Sequence, residues 1–369
     1  MDGALGGLRV VDLSGSVATA YCAKLFADYG AEVLNLEPAD GFPTRRLAPF
    51  VPEVGPPESS AMHAYLSTGK RSLRRDHLRA AVVDGLLTAA DLVLDDGSAQ
   101  PLPPGFAGVR CSVSWYGSSG PYAAFTGTDA QCFALNGMLR LIGPAEGPPF
   151  IPTGYQAQIV AGVNAFIAGL GHVLAGELGN RLAPVHLQTS IFEASLCFTD
   201  VGAISVRNTG LQADRMGINR LPPTYPMGVF PCRDGWIGLS VLTPKQWRAF
   251  CDLLDMQEFA DVPLFQSAAS RGEAADLLEP VFTEKLLGFS AEELFYRGQE
   301  AAIPLARVPT MEELFGVDQF VQRQAFTEVQ LADGRALTVP SVPFRLFATP
   351  PRFGGRVARL GEDTGAFEA

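Results

Sequence analysis

Residues 9 to 36 constrain the fold of this chain more than any other stretch. Arg9-Val-Val-Asp-Leu13 is a short, β-branched strand, and Ala18 to Tyr29 carries helical spacing. Gly30 fits the left-handed position that ends such a helix, and Ala31-Glu-Val-Leu-Asn-Leu36 is a second strand running to Glu37. A strand, a helix and a strand within about thirty residues make a right-handed βαβ unit, which sets the two strands parallel and lays a helix over them. A helix around Leu78 to Ala90 and strands at Leu92-Val-Leu94 and Gly108-Val-Arg-Cys-Ser-Val113 repeat the pattern. The first half therefore reads as an open α/β layer of Rossmann type.

That layer lacks the glycine fingerprint of a dinucleotide site. After the first strand comes Ser14-Gly-Ser-Val-Ala-Thr-Ala20 where G-x-G-x-x-G would stand, so Glu37 reads as the end of a strand, not as a ribose-binding acid. Asp129 to Arg207 reads as largely helical, with a small-residue helix from Val163 to Glu177. The apolar run from Ile159 to Leu178 holds four glycines together with Asn164, His172 and Glu177, which suits a buried helix rather than a membrane span. From Asn208 to Pro226 the chain reads as an extended connection. Gly228 to Val241 reads as a hairpin turning at Asp234-Gly235. Helices are expected at Pro244 to Leu254, Glu273 to Leu287, Ser290 to Gln299 and Met311 to Leu314, and the last forty residues return to strand and turn.

With 369 residues, 47% hydrophobic and 18% charged, there is material for about two domains and a large core. A net charge of −11, with Lys70 to Arg75 as the main basic cluster, argues against nucleic acid or an anionic membrane as partner. The six cysteines and four histidines are scattered, with no CxxC and no metal spacing, so no metal is expected. Buried thiols in a reducing cytoplasm are the expected state, and the acidic start shows no secretory leader.

Several stretches, in order, resemble the family III CoA-transferases, the group of carnitine, formyl and bile-acid CoA-transferases that also includes α-methylacyl-CoA racemase. These are Leu8 to Ser14 with Ala27 to Pro38, Pro43-Thr-Arg45, Gly69-Lys-Arg-Ser-Leu73, and the glycine-rich Ser114-Trp-Tyr-Gly-Ser-Ser-Gly-Pro-Tyr122. Tyr225-Pro-Met-Gly-Val-Phe230, Cys232 to Trp236 and Ile303 to Val308 complete the set. The resemblance implies a large Rossmann-like domain built from residues 1–200 and 330–369, a linker at 201–224 and a smaller α+β domain at 225–329. It also implies an interlocked homodimer, whose threading would suit the connections near 201–224 and 321–345. An acyl-CoA or another acyl thioester or carboxylic acid is the implied substrate, with coenzyme A visiting the site and no permanently bound cofactor.

The same resemblance assigns site residues. Arg45, Arg46, Lys70 and Arg71 would hold CoA phosphates, by guanidinium forks and a lysine point charge, and Val17 and Ala18 would lie against the cofactor. Asp95 and Asp96 fall in the second cofactor loop, Asp95 to Gly105, where two negative charges oppose a pyrophosphate. In the family an aspartate in Asp-x-x-(small)-Gly attacks the acyl-CoA and forms a mixed anhydride. Here the segment reads Gln158-Ile-Val-Ala-Gly162, and an amide cannot do that chemistry. The racemase branch uses a histidine–aspartate pair, and Thr128-Asp129 stands where the histidine and the following aspartate would be. The catalytic candidates are Gln158 as an amide donor, Asp129 as acid or base, and Tyr155. Tyr122 and Cys132 are further pocket candidates, and Glu193 reads as structural. Three readings remain: a family enzyme without the aspartyl anhydride, a non-covalent isomerase, dehydratase or cyclase in the same cleft, and a silent acyl-ligand or partner-binding member.

Overall fold

A computed structural model describes residues 3–98, 101–177, 179, 184–210, 214–221 and 224–367. Ala99 and Gln100 of the expected second cofactor loop, and 211–213 and 222–223 of the expected linker, lie outside the described residues. The chain divides into two compact units: 1–136, 152–201 and 318–369 form one, and 137–151 and 202–317 form the other.

The first unit is built on β1 (Arg9–Asp12), α1 (Val17–Asp28), β2 (Glu32–Glu37), α2 (Ala61–Ser67), β3 (Arg71–Arg74), α3 (Ala80–Thr88), β4 (Leu92–Asp95) and β5 (Val109–Ser114). It continues with α4 (Asp129–Leu135), α5 (Gln156–Glu177), β6 (Val185–Ser190) and α6 (Ile191–Ser195). Six strands form one sheet in the order β3-β2-β1-β4-β5-β6, all neighbours parallel. The order reverses direction between β1 and β4, which in such sheets opens a crevice beyond the carboxyl ends of the strands. Two of the six strands were not legible in sequence. β3 is the basic Arg71-Ser-Leu-Arg74 and β6 is Val185 to Ser190, inside the stretch expected to be largely helical. Neither carries a β-branched run; partner strands supply what the local sequence lacks.

On one face of the sheet, α3 covers Val11, Leu34, Leu73 and Val93. On the other, α1 is buried over its full length and packs against α5. The contact is close because α5 presents Ala157, Ala161, Gly162 and Ala165 to it; a Cβ on Gly162 would sit 2.6 Å from the Ala18 carbonyl oxygen. That stripe, with Gln158, Phe166 and Gly169, is covered within the subunit. Ile167 and Leu174 point outward at 62% and 48% exposure, so the expectation of a wholly buried helix holds for one face alone.

After α7 (Asp200–Thr209), which makes the start of the expected linker helical, the second unit holds β7 (Met227–Cys232), β8 (Gly235–Ser240) and α8 (Pro244–Leu253). Then come α9 (Gln257–Ala260), α10 (Ala268–Glu273), α11 (Ala275–Leu286), α12 (Ala291–Glu300) and β9 (Leu305–Arg307). The strands form an antiparallel sheet in the order β7-β8-β9. The hairpin pairs Cys232 with Gly235, so its two turn residues are Arg233 and Asp234, one position earlier than expected. Trp247, Phe250 and Phe282 fill the core, and Arg271 is buried among them. Arg271 spends its donors on the carbonyls of Tyr225, Val241 and Phe265.

The chain returns to the first unit with α13 (Asp318–Gln322), which has no buried residue, followed by β10 (Phe326–Gln330), β11 (Ala336–Pro340) and β12 (Gly355–Arg356), a small sheet in the order β11-β10-β12. Tyr29 ties this return to α1, stacking on Phe344 at 4.1 Å and donating its hydroxyl to the Phe344 carbonyl at 2.6 Å.

Candidate active site

The packing of α5 on α1 fixes Gln158, one turn before Gly162, in the first turn of α5. Thr128 caps α4 by accepting from the Gln131 N–H at 3.5 Å, which sets Asp129 in the first turn of α4. The two helix starts meet through these residues. The Gln158 backbone N–H donates to Asp129 Oδ1 at 3.1 Å, and its side-chain Nε2 donates to Oδ2 at 2.8 Å. Both residues are buried, Asp129 at 7% and Gln158 at 8% exposure. The carboxylate thus satisfies one of the first-turn N–H groups that α5 cannot pair internally, and it lies in the positive end of that helix dipole.

Chemically, the pair combines an oriented carboxylate with an amide. Nε2 carries two hydrogens and spends one on Asp129, leaving a donor and the Oε1 acceptor for a ligand. Tyr155 lies at the entry to α5, half-buried, its carbonyl accepting from the Ile159 N–H. Cys132, one turn along α4 from Asp129, is buried. Burial, and then the charge of Asp129, push its thiol up to about 11, so it is no thiolate nucleophile at neutral pH. Glu193 is exposed in the first turn of α6.

Of the six residues expected to hold a cofactor, Val17 and Ala18 come to this neighbourhood, in the first turn of α1 against α5. The four basic ones are occupied elsewhere. The Arg45 guanidinium is fully buried, bidentate on Glu37 at 2.7 and 2.8 Å, and on Glu58 at 2.8 Å. That leaves no open fork for a phosphate. Glu37 is more than a strand end; it is the anion of this knot, also accepting from Ser72 Oγ at 2.5 Å. Lys70 runs beneath α1 and donates to the Ala20 carbonyl at 2.7 Å. Burial lowers its ammonium to about 8 against the opposing pull of Asp12. Arg71 begins β3, pairs with Glu32 at 3.1 Å and Asp363 at 3.6 Å, and lies over the Phe367 ring. Arg46 is on the surface beside Asp40. Asp95 is held by Arg110 at 2.7 Å, while Asp96 is exposed. The phosphate-holding roles expected for Arg45, Lys70 and Arg71 find no support in this geometry. A basic residue beside family-like spacing does not disclose that an acid elsewhere has claimed it. Among the described residues no three His, Cys, Asp or Glu side chains cluster as metal ligands.

Sequence reasoning missed two things here. It weighed Gln158 and Asp129 separately, although 29 positions apart they are direct partners. It also named Tyr122 without its neighbours Tyr116, Phe125 and Phe192.

The parallel sheet in Rossmann order and the buried amide–carboxylate pair at two helix starts define an α/β protein of Rossmann type whose first turn does not carry G-x-G-x-x-G. The family model for CoA-transferase family III matches residues 5–102 and 109–364, and the chain belongs to that family of enzymes. A succinate–glutarate CoA-transferase of Agrobacterium fabrum is 26% identical over 380 residues, covering 97% of this chain and 93% of its own. A succinyl-CoA:(R)-benzylsuccinate CoA-transferase subunit of Thauera aromatica is 26% identical over 387 residues, covering 96% and 91%. The crystal structure of a CAIB/BAIF family protein from Brucella suis shares the fold, with a TM-score of 0.84 at 22% identity over 99% of this chain and 98% of that one.

Proposed function

We propose that this enzyme acts on an acyl-CoA, or on another acyl thioester or its carboxylic acid, without an aspartyl-anhydride intermediate. The observation that carries the reading is the pinning of Gln158 on Asp129: Gln158, which the sequence resemblance sets at the family's nucleophile position, donates once from its backbone N–H and once from its amide to a buried carboxylate. The names of the relatives, which are CoA-transferases acting on succinyl-CoA and other acids, support the substrate class. Asp129 is the proton carrier. It takes a proton from the carbon beside the acyl carbonyl; the C–H electron pair becomes the enolate double bond and the carbonyl π pair moves onto oxygen, where the second Gln158 amide N–H meets the developing charge. Returning the proton to the same carbon regenerates the acyl group with its hydrogen exchanged, and returning it to the γ-carbon of a substrate with a β,γ double bond completes an isomerisation. Tyr155 borders the substrate, and Val17 and Ala18 line it with backbone. The outward face of α5, with Ile167 and Leu174, supports a homodimer.

The test is to incubate the protein and its Gln158→Asp and Asp129→Asn variants with succinyl-CoA in deuterated buffer. Wild type is expected to form no covalent adduct by mass spectrometry and to place deuterium in the acyl group. Asp129→Asn should place none, and Gln158→Asp should gain an adduct. An adduct on wild type would overturn the non-covalent reading.

A further inference from the structure

The connection from β5 to α4 carries a row of rings with no counterpart in the chemistry assigned so far. Tyr122 and Phe125 are stacked, with centroids 5.0 Å apart and planes at 22°. Tyr116 meets Tyr122 edge-on at 5.8 Å and Phe192 of α6 at 5.9 Å. A tight turn, in which the Phe125 N–H donates to the Tyr122 carbonyl at 2.8 Å, holds the stacked pair in register. The pair nevertheless stands open, with Tyr122 at 46% and Phe125 at 57% exposure. Core aromatic pairs bury their faces; this pair is organised and left uncovered.

The row is tethered to the amide–carboxylate pair. Phe125 precedes Asp129 by four residues, a chain distance of at most ~14 Å. Between them Gly127 packs on Trp115 so closely that a Cβ there would lie 2.9 Å from the indole, which fixes the path. Tyr116 also lies within electrostatic reach of Cys132, and Cys132 within that of Asp129.

We propose that Phe192, Tyr116, Tyr122 and Phe125 form the acyl-recognition shelf of the Asp129–Gln158 site, and that the acyl group they receive carries an aromatic ring. A planar ring stacks or meets edge-on with such a row and gains beyond its buried area, whereas a short aliphatic or dicarboxylic acyl chain gains only from the smaller area it buries. This inference rests on the reading of an acyl substrate given above.

Titration calorimetry with phenylacetyl-CoA and acetyl-CoA tests it, on the wild type and on Phe125→Ala and Tyr122→Ala, with phenylacetate and acetate as the free acids. The expected result is phenylacetyl-CoA binding about tenfold or more tighter than acetyl-CoA, a preference that falls to about threefold or less in either variant because phenylacetyl-CoA loses the larger share of its affinity. A preference that survives both variants, or no preference in wild type, overturns the shelf. So does a change of sedimenting mass in the variants, which would make the rings a subunit contact. If neither thioester binds, the CoA reading fails by itself. The shelf then stands only if phenylacetate binds over acetate and loses that preference in Phe125→Ala.

Discussion

Two of the polar assemblies buried in the first unit are built on opposite principles. At the end of β2, Glu37, Arg45, Glu58 and Ser72 form a closed knot in which charge meets charge and the guanidinium is fully engaged. At the starts of α4 and α5, one carboxylate meets one amide, with no cation in hydrogen-bond contact and donor capacity left over. The first is complete without a ligand; the second is not. A buried polar group earns a functional reading by what it leaves unspent, not by its charge, and the arginine that resembled a phosphate ligand is the one with nothing left to give.

Breaking the closed knot should have the largest effect on stability. Glu37→Leu leaves Arg45 buried beside only its outer partner and is expected to cost ~3–5 kcal/mol, read from the denaturation midpoint in urea. A loss under about 1 kcal/mol would mean that water reaches the guanidinium and that the two assemblies are less different than their burial implies.

Asp129→Asn sharpens the other side. It should slow deuterium entry into a bound acyl group by about a hundredfold or more. Stability should fall by only ~1.5–3 kcal/mol, the range for hydrogen bonds to a charged group. Equal rates in variant and wild type would remove Asp129 from the chemistry.

Lys70 tests whether a buried cation outside the knot carries a cost. Burial lowers its ammonium from 10.5 to about 8. Between those values the folded chain binds fewer protons than the unfolded one, so its contribution makes stability rise as pH climbs from about 8 toward about 10. Below 8 both states hold the proton and the cost of burial is constant. Lys70→Met should flatten that rise in pH-dependent denaturation curves; an unchanged slope would assign the rise to other groups.

The smallest effect is expected at Arg46→Ala. Its pair with Asp40 lies on the surface, and an exposed pair of this kind contributes under ~1 kcal/mol, a shift near the resolution of thermal melting.

Much of this was legible in the chain. The βαβ opening was readable because hydrophobic period and a glycine stop are local properties, and α8, α11 and α12 fell within a few residues of expectation for the same reason, whereas the short α9 and α10 were not expected and Met311 to Leu314 gives only a 3-10 turn at Glu313–Gly316. β3 and β6 were not, since Arg71 to Arg74 and Val185 to Ser190 become strands through their neighbours in the sheet. Gln158 and Asp129 could each be picked out by spacing, but a hydrogen bond across 29 residues has no sequence signature. The aromatic row hid for the same reason: Tyr116, Tyr122 and Phe125 are close in sequence, yet only the turn stacks two of them and only α6 brings Phe192.

The sequence by itself determined the family, the parallel α/β layer and the amide at position 158, because these rest on residue order and local pattern. The tertiary structure alone decided which charges are already paired, which carboxylate stands beside that amide and which rings remain uncovered. Those depend on distances between segments far apart in the chain, and close packing and buried hydrogen bonding set such distances only once the whole unit has folded.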